Sequence, residues 1–219
     1  MPDENTSSVA GTQAEQADAS VLAPAATPLE ASFQREEVDA AVRGEAGYVS
    51  DVDPRGLAIA SEAAARVVEE FDEHVQDWKV FRDEVTVVVT PPALPDVLRF
   101  LRDTAGFALL SDISPCDWLD RHEQRFAVSY VVTKLVAGAP RLRVQVWVDE
   151  GESIPTVIPV YPTADWHERE AWDFFGIEVT GREGMRRLIM PDDWVGHPLR
   201  KDYPMGGEPV KFTNSLREI

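Results

Sequence analysis

Apolar residues recur at helical spacing where the chain first shows a regular pattern. Ala64, Val67, Phe71 and Val75 follow one another at intervals of three or four, and Ser61 stands where a helix N-cap would stand. This spacing puts the apolar side chains on one face of a helix. The pattern therefore predicts an amphipathic helix that begins after Ser61 and continues to Val75.

A strand and a second helix follow this first helix. Residues 84–90 are mostly β-branched and are followed by two prolines, which is typical of a strand. Residues 94–101 carry leucine and valine in one apolar stripe, as on a helix whose first turn accommodates proline. Residues 107–110 predict a short buried strand.

Strict alternation marks the middle of the chain as a β-hairpin. Apolar residues occupy every second position in 126–132 and again in 142–148, and a Gly- and Ala-containing turn separates the two runs at 137–140. The order of elements is helix, strand, helix, strand, strand, strand. This order predicts an α+β fold in which an antiparallel or mixed β-sheet has helices packed on one face.

The pattern changes after the hairpin. Three prolines keep residues 153–162 extended, and a helix is predicted for about 165–175, with Asp165 and Glu168 as a cap-like pair and Gly176 at its end. Hydrophobic periodicity then stops. The predicted organisation is a disordered acidic N-terminal tail at 1–54, an α+β domain at 55–162, and a signature helix followed by a long extended, partner-binding C-terminal arm at 163–219.

The charge of the chain restricts the classes of partner. The 219 residues include 39 acidic and 21 basic side chains, a net charge of -18. Binding to nucleic acid or to anionic lipid requires the opposite balance, so neither is expected. Residues 1–53 alone contain 11 acidic and 2 basic side chains. That excess favours a solvated tail over the alternative, an arm that folds on a partner.

Cysteine content and hydropathy restrict the location and the cofactors. The single cysteine, Cys116, excludes an intrachain disulfide and cannot supply the thiolates of an iron–sulfur cluster. The N-terminus lacks the basic and apolar regions of a secretory signal, and no run of 18 apolar residues occurs. We therefore expect a protein of the cytoplasm without direct membrane insertion.

Residues 166–204 have an unusual composition. They contain three of the six tryptophans, eight carboxylates and six Lys or Arg residues. Tryptophan, arginine and paired opposite charges are typical of an interface centre. Since an extended segment cannot satisfy its own backbone groups, we predict that it lies on another subunit. The alternative is a long irregular loop folded against its own domain.

Independent catalytic sites receive little support from the motifs. The run from His167 to Ala171 begins like a zinc-protease helix, but Ala171 stands where the second histidine ligand would have to be. A two-histidine site of His167 and His197, aided by Asp192 or Asp193, is a weak alternative. The nearby carboxylates are interpreted as partner salt bridges and helix caps rather than as an acid–base pair.

The same segment resembles a known family. The runs that carry the resemblance are Glu-Arg-Glu at 168–170, Trp-Asp-Phe-Phe-Gly-Ile at 172–177, Arg-Arg-Leu at 186–188 and Pro-Asp-Asp-Trp-Val-Gly-His-Pro-Leu-Arg-Lys-Asp-Tyr-Pro at 191–204. They are similar to the 30 kDa subunit family of respiratory complex I, the proton-translocating NADH:quinone oxidoreductase. A weaker similarity covers roughly 62–150, whereas the tail at 1–53 lies outside it.

One local departure from the family pattern occurs before the arginine pair. The family usually has Gly-His-Pro there, whereas this chain reads Gly181-Arg182-Glu183. The following pair, Arg186 and Arg187, is kept. Any role that the family assigns to this histidine therefore cannot be transferred to this chain, whereas the family resemblance is unaffected.

The resemblance implies a structural subunit of the peripheral arm that binds no cofactor. FMN and iron–sulfur clusters would belong to partner subunits, and the nearest partner would be the quinone-module subunit that resembles a hydrogenase large subunit. The chain would be a peripheral protein on the cytoplasmic side of the plasma membrane. The rival functions are the equivalent subunit of a membrane-bound hydrogenase or other quinone-linked dehydrogenase, and an independent metal-dependent hydrolase.

No catalytic, cofactor-binding or metal-binding residue is predicted in the chain itself. The predicted site is an interface with the partner subunits, in which charged side chains form pairs across the boundary and aromatic side chains serve as anchors. The predicted interface residues are Glu168, Arg169, Trp172, Asp173, Phe175, Arg186, Arg187, Asp192, Asp193, Trp194, His197, Arg200, Lys201, Asp202 and Tyr203.

Overall fold

A computed structural model gives the fold of residues 53–204. The predicted acidic tail at 1–54 therefore lies almost wholly outside the described residues, as does the part of the predicted arm beyond Pro204. Three α-helices, seven β-strands and two short 3₁₀ turns make up the described chain. The helices are α1 (Pro54–Glu70), α2 (Leu94–Asp103) and α3 (Ala164–Phe175), and the 3₁₀ turns are Asp72–His74 and Pro91–Ala93.

Five strands form one mixed sheet in the order β1–β2–β5–β4–β3. Only β2 and β5 are parallel, and the other neighbouring pairs are antiparallel. A second, two-stranded parallel sheet joins β6 to β7. The strands are β1 (Val75–Phe81), β2 (Glu84–Val89), β3 (Leu109–Asp117), β4 (Phe126–Thr133), β5 (Arg141–Val148), β6 (Ser153–Pro155) and β7 (Glu178–Thr180).

The core lies between the helices and one face of the five-stranded sheet. Alternate residues of β5, from Leu142 to Val148, are at most 1% exposed, and so are the stripe residues of α2. Small alanines on α1 let that helix pack closely on β2 and β5. The predicted α+β fold, with a mixed sheet and helices on one face, is thus confirmed. Burial of this continuous apolar surface is the main source of stability.

The predicted start and end of the first helix were wrong. Helix α1 begins at Pro54 because proline suits the first helical position and the Asp53 side chain caps the helix, accepting a hydrogen bond from the Arg55 amide at 2.9 Å. It ends at Glu70, and Val75 begins strand β1. This strand was missed because Val75 also fits the spacing of the preceding helix.

The edge strand β3 is longer than the predicted strand at 107–110. It continues through Ser111, Asp112, Ser114 and Pro115 to Asp117, with an irregularity between Leu110 and Asp112. Polar residues and proline are tolerated because one side of an edge strand makes no ladder hydrogen bonds. A prediction based on consecutive apolar residues therefore ends this strand at residue 110, although it continues to Asp117.

The helix α3 begins and ends close to the predicted positions, but its cap-like pair does not form. Thr163 is the N-cap residue and no side chain caps the helix, whereas Glu168 turns into the interior. At the other end, Gly176 adopts the predicted left-handed conformation, with φ of 71°. Helix α3 packs across β3, and its Phe175 meets Phe126 of β4 edge to face at 6.5 Å between ring centroids.

The close approach of α1 to the β4–β5 turn gives a first testable prediction. A Cβ on Gly56 would lie 2.7 Å from the carbonyl oxygen of Gly138, a backbone atom that has no rotamer to relieve the contact. Gly56→Ala should therefore lower the free energy of unfolding, although glycine to alanine normally stabilises a helix by about 1 kcal/mol. Urea denaturation of the full chain measures this change.

The matched control for Gly56→Ala is Ser61→Ala in the same helix. The Ser61 hydroxyl is buried without a hydrogen-bond partner among residues 53–204, so its removal should leave stability unchanged or slightly raised. If Gly56→Ala also stabilised the protein, the close contact between α1 and the β4–β5 turn would be refuted.

Candidate partner-binding site

The predicted interface residues lie on α3 or in the segment that follows β7. We call residues 181–204, which follow β7, the strap. The strap has no helix or strand of its own and lies against α3 and one end of the five-stranded sheet. These contacts lie within the chain, and the predicted contact of the arm with another subunit stays a prediction.

Asp173 is the main attachment point of the strap. Its side chain is fully buried, and Oδ1 accepts a hydrogen bond from Arg187 Nη1 at 2.9 Å. The other oxygen, Oδ2, accepts the backbone N–H groups of Leu188, Ile189 and Met190 at 3.0, 2.8 and 3.0 Å. One carboxylate thus fixes four consecutive residues of the strap.

The protonation of Asp173 reflects this environment. Burial alone would raise the pKa, but the hydrogen bonds from Arg187 and from the three backbone amides lower the pKa of Asp173 to about 2. The carboxylate is therefore ionised at neutral pH. A buried charge of this kind is tolerated because its hydrogen bonds compensate for lost hydration.

Arg187 closes the strap into a loop. Its Nη2 donates to the carbonyl oxygens of Trp194 and Gly196 at 2.8 and 3.0 Å, while Nη1 also donates to the Asp173 carbonyl at 3.0 Å. The guanidinium lies 5.4 Å from the ring centroid of Trp172. A planar side chain with five donors suits this role, whereas lysine could not bridge the same acceptors.

The strap also satisfies the last carbonyl groups of α3. His197 Nδ1 lies 3.0 Å from the Asp173 carbonyl oxygen, and the Leu199 amide donates to the Phe174 carbonyl at 3.1 Å. Arg200 Nε donates to the next carbonyl, that of Phe175. The last carbonyls of a helix lack partners within the helix, and a cation there is favourable to the helix dipole. The strap therefore caps the helix that holds it.

Gly176 is required at this junction for two reasons. Its positive φ ends α3, and a Cβ at this position would come within 2.6 Å of side-chain atoms of His197 and Arg200. Any other residue would both strain the backbone and push the strap away. The Trp-Asp-Phe-Phe-Gly run is thus explained by attachment of the strap.

A second cluster fixes the distal part of the strap to the sheet. Arg125, directly before β4, pairs with Asp117 at 3.1 Å, with Glu150 at 2.8 Å and with Asp202 of the strap at 2.7 Å. The Lys201 amide donates to Asp117 Oδ2 at 2.9 Å. Hydrogen bonding to Arg125 lowers the pKa of Asp202.

This cluster was not predicted as a whole, because Arg125, Asp117 and Glu150 lie far from the strap in sequence. One signal was available. Asp117 and Arg125 flank the ends of two antiparallel strands, where opposite charges can face each other. Arg200 strengthens the cluster through an ion pair with Glu150 at 2.6 Å.

Glu168 organises the segment that precedes α3. Its side chain is 1% exposed and accepts hydrogen bonds from the Val157 amide at 2.7 Å and from the Thr156 hydroxyl. Arg182 lies 3.4 Å away and pairs with Asp165 as well. Burial raises the pKa of Glu168, although these hydrogen bonds oppose the shift. Arg182, which stands where the family usually has histidine, thus has a structural role in this chain.

The predicted interface residues fall into two groups. Asp173, Glu168, Arg187, His197, Arg200 and Asp202 contact groups of this chain, and Arg169 donates to the Arg187 carbonyl at 2.9 Å. Phe175 is buried, while Trp172, Trp194 and Tyr203 are partly buried. The exposed members are Arg186, Asp192, Asp193, Lys201 and Asp202, the last of which also pairs with Arg125. Sequence reasoning missed three exposed apolar residues of the strap, Ile189, Val195 and Leu199.

The geometry does not support a metal centre among residues 53–204. No group of three His, Cys, Asp or Glu side chains in this range is arranged to hold a metal ion. His197 binds the Asp173 carbonyl through Nδ1, and Asp192 and Asp193 are exposed. Within the same range, no helix has the length and apolar character that crossing a membrane requires.

The fold and the strap define the structural class of this protein: an α+β domain on which buried charges fix an irregular C-terminal segment. Comparison with known proteins identifies the family. The family model described as "Respiratory-chain NADH dehydrogenase, 30 Kd subunit" matches residues 87–209, more than half of the chain. The chain belongs to this family, and the resemblance of residues 166–204 is confirmed.

Several curated relatives are named as the C subunit of NADH-quinone oxidoreductase. One from Salinispora arenicola is 38% identical over 178 residues, which cover 80% of this chain and 69% of the relative. One from Geobacter sulfurreducens is 38% identical over 159 residues, which cover 71% of this chain and 98% of the relative. One from a Mycobacterium species is 40% identical over 153 residues, which cover 68% of this chain and 66% of the relative. These names do not favour the hydrogenase or hydrolase alternatives.

Removal of the Asp173 charge should release the strap and destabilise the chain. In Asp173→Asn, Arg187 keeps its partly buried position but loses its counter-charge, which should cost about 3 kcal/mol of unfolding free energy. The exposed Glu170 on the same helix provides the matched control, and Glu170→Gln should change stability by less than about 0.5 kcal/mol. Chemical denaturation measures both, and equal effects would contradict the assigned role of Asp173.

Acid should weaken the same attachment in a defined range. The folded-state pKa of Asp173 is about 2, below the value of about 3.9 expected in the unfolded chain. Its contribution is therefore present above about pH 5 and is lost as the pH falls toward 2. The stability difference between wild type and Asp173→Asn, measured by urea denaturation, should shrink over this range. A difference that stayed constant with pH would count against the prediction.

Proposed function

We propose that the chain is a structural subunit of the peripheral arm of NADH:quinone oxidoreductase, complex I. Its role is to hold neighbouring subunits together while electrons pass from NADH to quinone through other subunits. The observation that carries the proposal is that the strap exposes apolar side chains while its backbone is held by hydrogen bonds to Asp173 and Arg187. Membership of the 30 kDa subunit family supports the same assembly.

The outer side of the strap has the properties of a docking surface. Ile189, Val195 and Leu199 are 58%, 85% and 52% exposed, although their backbone is tied to α3 and to Arg187. Covering these apolar side chains with a partner removes their surface from water and is favourable. Because the strap is already ordered, little conformational entropy is lost when the partner binds.

The strap also exposes charged residues near these apolar side chains in sequence. Arg186, Asp192, Asp193 and Lys201 are exposed, so both signs of charge are present. Such rim charges set orientation and association rate more than affinity. In this proposal the buried interface residues fix the conformation of the strap, and the exposed ones contact the partner.

The proposed partner is the quinone-module subunit that resembles a hydrogenase large subunit. FMN and iron–sulfur clusters would be carried by partner subunits, since one cysteine cannot ligate a cluster. The assembled complex would hold the chain as a peripheral protein on the cytoplasmic side of the plasma membrane, coupled to proton translocation by the membrane part.

The proposal predicts that charges placed on the outer side of the strap weaken assembly without unfolding the chain. Val195→Asp and Leu199→Asp should each weaken association by about 1–2 kcal/mol, roughly tenfold in affinity. Leu135→Asp is the matched control, since Leu135 is 70% exposed at the far end of the sheet. Affinity purification of the tagged chain from membranes, with mass spectrometry of its partners, measures the effect.

The expected result is reduced recovery of complex I subunits with the Val195 and Leu199 variants and normal recovery with Leu135→Asp. NADH:quinone reductase activity in the membranes should fall in parallel. Normal co-purification and activity with both strap variants would refute the docking surface. Co-purification of hydrogenase subunits instead of a nicotinamide-dependent flavoprotein would refute the assignment to complex I.

A further inference from the structure

Three aromatic side chains form a cluster at the face of the sheet opposite the helices. Trp147 of β5 lies on that face, because its neighbours Val146 and Val148 face the core. His122 of the β3–β4 loop stacks on the Trp147 ring at 3.7 Å between ring centroids, and Trp118 meets the same ring edge to face at 5.9 Å. We call Trp118, His122 and Trp147 the aromatic cluster.

Hydrogen bonds fix the loop that carries two of these rings. The Trp118 amide donates to the Arg125 carbonyl at 2.7 Å, and the Arg121 amide donates to the Trp118 carbonyl at 2.7 Å. Trp118 is nevertheless 39% exposed, and His122 is exposed as well. Aromatic surface that an ordered loop holds in water is typical of a binding site, because little conformational entropy is lost when a partner covers it.

Asp117 joins the aromatic cluster to the strap. Its Oδ1 accepts the amide of Leu119, the residue after Trp118, at 3.0 Å, and its Oδ2 accepts the Lys201 amide at 2.9 Å. Leu199, one of the exposed apolar residues of the strap, precedes Lys201 by two positions. The aromatic cluster therefore continues the proposed docking surface beyond the end of the strap.

The charge around the aromatic cluster indicates the chemistry of the partner. The loops at this end of the sheet, residues 118–124 and 149–152, contain five carboxylates and one arginine. Among these carboxylates, Asp149 and Glu152 accept hydrogen bonds from backbone amides, which do not neutralise their charge. Negative charge beside aromatic rings favours a cation, above all a guanidinium, which both stacks on indole and pairs with carboxylates.

We propose that the aromatic cluster binds an arginine side chain of the subunit that covers the strap. The guanidinium stacks on the exposed ring of Trp118, and the carboxylates of the two loops attract it and offset its loss of hydration. This inference rests on the function proposed above. It adds a second contact, of defined chemistry, to the apolar contact made by the strap.

Site-specific photo-crosslinking tests this contact in the assembled complex. The photoreactive residue benzoylphenylalanine replaces Trp118 in one tagged chain and Val195 of the strap in a second. After irradiation of membranes, mass spectrometry identifies the crosslinked peptides. The expected result is that both positions label the same subunit, and that position 118 labels a peptide that contains arginine.

The outcomes separate this inference from the proposed function. A crosslink from position 195 without one from position 118 would overturn the inference and leave the proposed function intact. A crosslink from position 118 to a different subunit, or to a peptide without arginine, would also overturn it. Absence of crosslinks from both positions would overturn the proposed docking surface as well.

Substitutions test the chemistry of the contact. Trp118→Ser should reduce recovery of the partner subunit with the tagged chain by about three- to tenfold, and Trp118→Phe, which keeps an aromatic ring, should restore most of it. Glu123→Lys should also reduce recovery, whereas the matched control Glu62→Lys, at an exposed position of α1, should not. Urea denaturation of each purified chain checks that the variants fold. Unchanged recovery with Trp118→Ser, or equal recovery with the two lysine variants, would contradict the proposal.

Discussion

The arrangement of the C-terminal part of the molecule depends on one buried carboxylate. Asp173 is surrounded by one guanidinium and three successive backbone amides, so four residues of the strap take their positions from a single side chain. Arg187 also fixes a later part of the strap, because its Nη2 donates to the carbonyl oxygens of Trp194 and Gly196. The favourable electrostatics of these bonds offset the burial of two charges.

This arrangement links helix and strap in both directions. Helix α3 provides Asp173 and three carbonyl groups, and the strap provides the donors that those carbonyls would otherwise lack. Gly176 permits the contact because no Cβ separates the two segments. The second cluster, around Arg125, anchors the distal end of the strap to the sheet. In the function we propose, this order is what allows a structural subunit to offer a surface without folding upon binding.

The elements predicted correctly are those whose hydrophobic pattern fits only one type of secondary structure. Alternation identified β4 and β5, since each strand has one buried and one wetter face. Strand β1 was missed because its first residue continues the helical spacing, and β3 was cut short because an edge strand tolerates polar residues. The supposed cap pair failed for a different reason: Glu168 meets the Val157 amide, a contact that spacing within a helix cannot reveal.

The internal contacts of residues 166–204 could not be derived from composition. A segment rich in arginine and carboxylates has many possible pairings, and a sequence does not state whether a charge finds its partner within the chain or across an interface. Asp173 and Arg187 pair within it, and the contact of the exposed residues with a partner stays a prediction.

Hydrogen exchange in the isolated full chain tests most directly whether the strap is ordered before a partner binds. The account predicts slow exchange of the Leu188, Ile189 and Met190 amides, which donate to Asp173, and fast exchange of the same amides in Asp173→Asn. Fast exchange of these three amides in the wild-type chain, with the sheet still protected, would contradict it.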